Sequence, residues 1–354
     1  MKFESIKTLN LPTGVLALAG PPDASRLFGA CMDGSLIDIE VATDARTAFE
    51  ARHQSYASGC VLLPDGKTII SSGYDGRLIW HDVATHRLIR EIPAHDFWSW
   101  QLALSPDGAK VASVTGQYLV GGEKYEPAAA SGATVKVYDT QSGELTLAFS
   151  HAPPVQAVTF SPDGKHLAAG NLMGTVGVWE LGTGRLVAEL KSPDFTSWGI
   201  IKSPHYIGGI FGLQFAPDGE SLILVGMGPM TDPMAGNGKM TWQRWSWRDA
   251  TPKLLDQIHS GEHGNGLMEA VGFAPDGKSF VMAGRQAQGS WNLAAFSADD
   301  GKLLTSLDTK SRITRSLFSA DGSTLFLAAA IGQGSRKDGK WPDYGRIHIV
   351  RVLT

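Results

Sequence analysis

Along residues 155–190, VQAVTFSPDGKHLAAGNLMGTVGVWELGTGRLVAEL, apolar and polar positions exchange with a period of two. Val158 and Phe160 alternate with Ala157 and Thr159, the mark of a half-buried strand. Pro162-Asp163-Gly164 then makes a turn, because proline fixes φ, aspartate caps its own backbone and glycine accepts positive φ. A second run, His166 to Gly170, is small and apolar, and a third, Thr175 to Leu181, is β-branched and aromatic. Gly182-Thr183-Gly184 turns into a fourth, Arg185 to Leu190. Four such strands make a small antiparallel sheet with two open faces and an exposed edge, which needs copies of itself to be stable.

The copies are present. The turn after the first strand recurs at Asp65-Gly66, Asp107-Gly108, Asp163-Gly164, Asp218-Gly219, Asp276-Gly277 and Asp321-Gly322, with a degenerate form at Pro22-Asp23-Ala24. Successive aspartates are 42, 42, 56, 55, 58 and 45 residues apart. Four strands on a period of about 40–45 residues are the signature of a propeller. The pattern predicts an all-β chain: one seven-bladed β-propeller domain spanning 1–354, four antiparallel strands per blade. The seventh unit stops at Thr354 one strand short, and residues 3–9 have strand composition. They are expected to supply the outer strand of the last blade and so close it.

The motif His-x3-V-x2-V-x-F-S-P-D-G stands in full from His151 to Gly164, and its spacing returns at His95 and His53. The third strand ends in Trp179-Glu180, Tyr138-Asp139 and His81-Asp82, and an acid precedes it at Asp33 and Asp75. In these residues the chain resembles the WD-repeat family of β-propellers over essentially its whole length. Blades five to seven keep the first turn and little else. The resemblance implies a structural role for His53, His95 and His151, each tying a loop to its own blade, with Asp75 and Trp179 in the same internal networks.

Composition narrows the function. The net charge is −4 with no block of like charge, against a general phosphate-backbone binder. No apolar run reaches the roughly 18 residues of a membrane span, and MKFESIKTLN has no apolar signal core. A cytoplasmic chain with no nucleic-acid or membrane partner is the expectation, its oligomeric state left open. Cys31 and Cys60, the two cysteines, fit ordinary burial in a reducing compartment better than a disulfide framework.

Loop length is uneven. Loops after first and third strands are short. Length accumulates between second and third strands at Gly116 to Ala133, Gly226 to Met240 and Ile331 to Gly345, and ahead of first strands at Lys191 to Gly209 and His259 to Met268. One face of the disc is therefore expected to be plain and the other built up, and loops on a rigid scaffold commonly carry function. Trp, Tyr and Arg carry most interface hot spots. The candidate partner-binding residues are Trp98, Trp100, Tyr125, Trp198, Tyr206, Met230, Met234, Arg285, Arg336, Trp341 and Tyr344. Phe97, Tyr118, His205, Trp291 and Asp343 share those segments. The competing reading is that these side chains pack the insertions onto the disc.

No chemistry stands out. His259-Ser260-Gly261-Glu262-His263 spells H-x-x-E-H, but that zinc motif needs a helix, and Gly261, Gly264 and Gly266 oppose one. Met227, Met230, Met234 and Met240 read as packing or an adaptable contact surface rather than a Cu(I) site. His166 and His86 read as surface residues. No phosphate loop, dinucleotide fingerprint or nucleophile elbow occurs in context. No cofactor, metal or catalytic residue is expected. The reading is a non-enzymatic scaffold for a protein or peptide on the loop-rich face. The alternative is a small-molecule or glycan binder, or a hydrolase or lyase, at the channel mouth on that face.

Overall fold

The structure, a computed structural model, describes residues 1–117, 132–200, 203–232, 237–258, 264–332, 334 and 342–353, with backbone alone at 197–200, 203–207, 230–232 and 237. The described residues are strands and turns apart from one short 3-10 turn, Pro193–Phe195. In chain order, β1 (Lys2–Leu11) precedes three runs of four: β2 (Val15–Ala19), β3 (Arg26–Cys31), β4 (Leu36–Glu40) and β5 (Arg46–Ala48); β6 (Ala57–Leu62), β7 (Thr68–Gly73), β8 (Arg77–Asp82) and β9 (Leu88–Pro93); β10 (Gln101–Leu104), β11 (Lys110–Val114), β12 (Val135–Asp139) and β13 (Leu145–Phe149). Then come β14 (Val155–Phe160), β15 (His166–Asn171), β16 (Thr175–Glu180) and β17 (Leu186–Lys191), a hairpin β18 (Thr196–Ile200) and β19 (Ser203–Gly208), and β20 (Ile210–Phe215), β21 (Ser221–Asp232), β22 (Asn237–Ser246) and β23 (Lys253–Ile258). The last strands are β24 (Gly264–Phe273), β25 (Ser279–Gly289), β26 (Leu293–Ser297), β27 (Leu303–Leu307), β28 (Arg312–Phe318), β29 (Thr324–Ala330) and β30 (Gly345–Leu353).

Each run of four pairs antiparallel in sequence order, so each is a four-stranded meander. The first strand of the chain completes the last sheet: β1 runs antiparallel to β30, from Lys2 opposite Leu353 to Leu11 opposite Gly345. The chain divides into two compact units, one of Met1–Pro93, Gly272–Arg285 and Ser290–Thr354, the other of Ala94–Val271 and Gln286–Gly289.

The turn chemistry is local and repeats. After β14 the Asp163 carboxylate accepts the Lys165 amide, Ser161 Oγ accepts the His166 amide, and Gly164 takes φ +68°. The same set recurs at Ser105/Asp107 and Ser319/Asp321. These bonds consume backbone donors that the tight turn would otherwise leave unpaired.

Within the second unit, module four (β14–β17) is buried on both faces, not half-buried as its alternation suggested. Leu167, Ala169 and Trp179 join Ala112, Val114 and Val137 of module three. Ala157, Ala168, Val176 and Val178 join Leu213, Phe215, Leu222 and Leu224 of module five. Period two still governs which neighbour each side chain meets, but alanine and glycine fill what looked like the polar phase. In the first unit β3 does the same: Leu27 and Cys31 pack with Phe326 and Ile349 of the last module, Phe28 and Ala30 with Ala57 and Ile69 of module two.

Three segments read as loops hold strands, the third being 264–268 at the start of β24. Residues 196–200 and 203–208 pair antiparallel as β18 and β19. Within the run from Gly226 to Met240, residues 226–232 continue β21 and 237–240 open β22, paired through Met227–Met240 and Met230–Gly238, and the start of β22 pairs with β24 at Gly238–Gly266. Loop composition hid these strands, because their partners lie across a hairpin rather than in the local pattern.

Gly174 shows how close the inter-strand turns run. It holds φ +75°, and a Cβ there would stand 2.1 Å from the Ser192 carbonyl oxygen. Gly182 has open space. Gly174→Ala is expected to cost about 3 kcal/mol from backbone strain and overlap, and Gly182→Ala to stay within about 0.5 kcal/mol. Chemical denaturation of the two variants against the parent checks both.

Candidate interaction surface

The loops are held by buried polar chains, and module two shows the fullest one. His53 Nδ1 lies 2.9 Å from Asp75 Oδ1, His53 Nε2 lies 2.9 Å from Ser71 Oγ, and Ser71 Oγ lies 3.0 Å from His81 Nε2. A carboxylate only accepts, so His53 Nδ1 carries a proton. With the His53 ring neutral, the assignment that strands no donor follows: Ser71 donates to His53 Nε2, His81 Nε2–H donates to Ser71, and His81 Nδ1 is a bare acceptor. That nitrogen has no hydrogen-bond partner among the described residues. Asp75 also accepts the amides of Gln54 and Arg77. Burial opposes its charge, but the His53 bond and charge and these two amides outweigh burial and hold the carboxyl below its ordinary range. Gly73 makes room, since a Cβ there would stand 2.5 Å from His53 Nδ1. Sequence reasoning placed His53 and Asp75 in such a network and His81 at the end of the third strand but missed Ser71, because the bridging serine has no signature of its own.

Module three replaces parts of this chain. His95 Nε2 meets Ser113 Oγ at 2.8 Å, and Ser113 meets Ser99 Oγ at 2.8 Å. The buried Tyr138 donates to the Ala94 carbonyl at 3.1 Å, its phenol pushed up to about 12 by burial. In module four His151 Nε2 donates to the Thr175 carbonyl at 3.1 Å, and its ring stands edge-on to Trp179, which stacks on Phe149.

The aromatic candidates diverge. Phe97 and Trp98 stack at 4.9 Å, and Trp98 meets Trp100 edge-on at 5.3 Å. Thr115 Oγ1 donates to the Trp98 carbonyl, and Trp100 Nε1 donates to the Gly116 carbonyl. The trio therefore stands where the second-to-third-strand loop of module three leaves β11. Trp100 is partly buried against the module core, whereas Trp98 is 38% exposed. Trp198 and Tyr206 are backbone register partners in the β18–β19 pair, as are Met230 and Gly238 in β21–β22. Arg285 is exposed on β25. Tyr344 is half-buried, its hydroxyl 3.1 Å from Thr13 Oγ1. Tyr125, Met234, Arg336 and Trp341 lie outside the described residues, as does the 259–263 string.

Several readings are corrected. Trp291 is buried in the core, and so are Met227 and Met240, whose strands fold back into the sheet. His166 lies against Trp247 at 4.7 Å, and His86 bonds Asp38 at 2.8 Å while standing edge-on to Phe49, so both are half-buried rather than free on the surface. Cys31 and Cys60 are free and buried, each thiol pushed up to about 12 chiefly by burial. Sequence also missed Gln243, which accepts from Ser192 Oγ at 2.6 Å and from Trp245 Nε1 at 2.9 Å, and donates to Asp194 and Gln257. It ties the 3-10 turn to β22 across about fifty residues of chain, a distance no local pattern reports.

Residues 143–180 match the family model described as WD domain, G-beta repeat. The chain carries a WD repeat. The matched stretch takes in the last strand of module three and the first three of module four, the part of the chain where the motif is complete. All-β meanders of four strands around such repeats are the β-propeller fold class. Among curated proteins the chain is similar to Protein groucho of Drosophila melanogaster, 30% identical over 179 residues, which is 50% of this chain and 20% of that protein. The chain thus spans about a fifth of the length of that relative.

The buried imidazoles set an acid limit. Burial first, then the charge of His53, lowers His81 to about 3; burial first, then Lys136, lowers His95 to about 3; burial first, then Arg346, lowers His348 to about 4. A histidine whose folded value lies below its unfolded value of about 6.5 stabilises the fold fully above that value. The contribution is lost as pH falls toward the folded value, by about 1.4 kcal/mol per pH unit for each group. His81→Phe is expected to cost about 1 kcal/mol at pH 7 through the lost Ser71 bond, and to flatten the fall in stability between pH 6 and pH 4 by about one histidine's worth. Urea titrations across that range check both signs.

Proposed function

We propose that this chain is a non-enzymatic interaction scaffold whose partner is a protein or peptide segment, bound on the loops that join second to third strands and that precede first strands. Trp98 carries the reading. A tryptophan left more than a third exposed, stacked on Phe97 and braced by Trp100, presents a large rigid face at small rotamer cost. Its backbone is fixed by Thr115, so the ring is set before any partner arrives. The WD repeat supports the same class of function. Trp100, Trp198, Tyr206, Met230, Arg285 and Tyr344, with Tyr125, Met234, Arg336 and Trp341 from the outlying segments, complete the proposed anchor set.

A photoreactive p-benzoylphenylalanine placed at position 98 is expected to crosslink to partner protein in cell extract, and one at position 65, in a short turn, is not. Trp98→Ala is expected to weaken retention of that crosslinked partner at least tenfold, with a change in unfolding free energy under about 1 kcal/mol. Equal crosslinking at 98 and 65, or full retention by Trp98→Ala, contradicts the proposal.

A further inference from the structure

Three junctions between modules share a device that a fourth lacks. At three of the turns that read Pro-Asp-Gly, the proline ring packs toward the turn glycine of the next module. Pro106, Pro162 and Pro275 each lie within 4 Å of where a Cβ on Gly164, Gly219 and Gly322 would stand. At the junction of the last module with the first, both members are changed. The last turn reads Ser319-Ala320-Asp321-Gly322, so a methyl replaces the ring. The first reads Pro22-Asp23-Ala24, and Ala24 holds φ +52° in the position that other turns give to glycine. Ala320 keeps an amide hydrogen that proline lacks and donates it to the Pro22 carbonyl at 3.2 Å.

A cavity of about 600 Å³ is lined by both alanines at this junction. That is the size of a ligand pocket, not of a packing flaw. Its apolar wall includes Val41, Phe326, Ile349 and Ile6. Ile6 is 48% exposed and sits in a bulge of β1, where the register slips between Ser5 and Lys7; bulges commonly re-aim a side chain in this way. The charged lining is Lys7, Asp23 and Asp321, one cation against two anions. Both carboxylates are firmly ionised. The Ser319 hydroxyl and the Ser323 amide and hydroxyl hold Asp321 at about 2, and the Ser25 amide and hydroxyl hold Asp23 below its ordinary value. Asp23 meets both of its bonds through Oδ1 alone.

We propose that this cavity is a docking pocket for a lysine side chain flanked by aliphatic residues in a protein partner. The apolar wall suits the four-carbon stem and the flanking side chains, and the net negative lining suits the ammonium. The pocket is built from turns after first and third strands and from β1, β29 and β30, none of which carries the anchors proposed above. The two readings therefore stand or fall separately.

The test is amide NMR on the full-length chain titrated with the peptide Ac-Gly-Leu-Lys-Leu-Gly-amide and its counterparts with norleucine or glutamate in place of lysine. The lysine peptide is expected to shift the Ala24 and Ala320 amides saturably, to bind at least tenfold tighter than the norleucine peptide, and to leave the glutamate peptide without saturable shifts. Ala320→Pro, which restores the ring used at the other junctions, and Ala42→Lys, which sets a cation on an exposed lining position, are each expected to weaken the lysine peptide at least tenfold. Ala42→Lys decides the matter alone if Ala320→Pro does not fold. No saturable shift, equal affinity for the three peptides, or unaltered binding to Ala42→Lys overturns the proposal.

Discussion

A four-stranded meander with two apolar faces has nowhere to hide them except against another meander. Everything in this chain follows from that constraint. Module four has Leu167, Ala169 and Trp179 on one side and Ala168, Val176 and Val178 on the other, and each set is buried only by a neighbouring sheet. The sheets must be thin and alike to stack this way, which is why small residues recur in the central strands. Gly177 is an instance: the Trp179 ring covers it so closely that a Cβ would stand 2.4 Å from the indole. Face-to-face packing supplies the stability, and the loops at the strand ends are freed to vary.

The polar chains are the second layer of the same design. Burying a loop's root removes its backbone groups from water, so donors and acceptors must be matched inside. His53, Asp75 and Ser71 do this in module two with His81 as the last link, and His95 with Ser113 and Ser99 does it in module three. A large ring stands at the end of the third strand in each of these modules and in module four. Imidazole, phenol and indole occupy that position in modules two, three and four.

What was legible in the sequence was what is local. The Asp-Gly turns carry their own hydrogen bonds within five residues, so their spacing announced the modules and the all-β class. Strand alternation was legible too, though not that both phases are buried, since alanine and glycine do not declare a side. The insertions were misread because β21 and β22 find partners in each other and in β24, not in their own composition. Met227, Met240 and Trp291 looked like surface decoration for the same reason, and sit in the core. At the candidate surface, residue type pointed to Trp98 and Trp100, but only coordinates separate the exposed ring from the half-buried one.

The most direct test of mutual dependence between sheets is hydrogen exchange on Leu222→Ala. Leu222 is fully buried on β21 of module five and shares a cluster with Ala168 and Val178 of module four. The substitution should cost about 2–5 kcal/mol as a cavity in a packed face. If the sheets stand only by packing on one another, amides of β15 and β16 lose protection by the same free energy as those of β21. Unchanged protection in β15 and β16, with loss confined to β21 and its own sheet, would contradict the account.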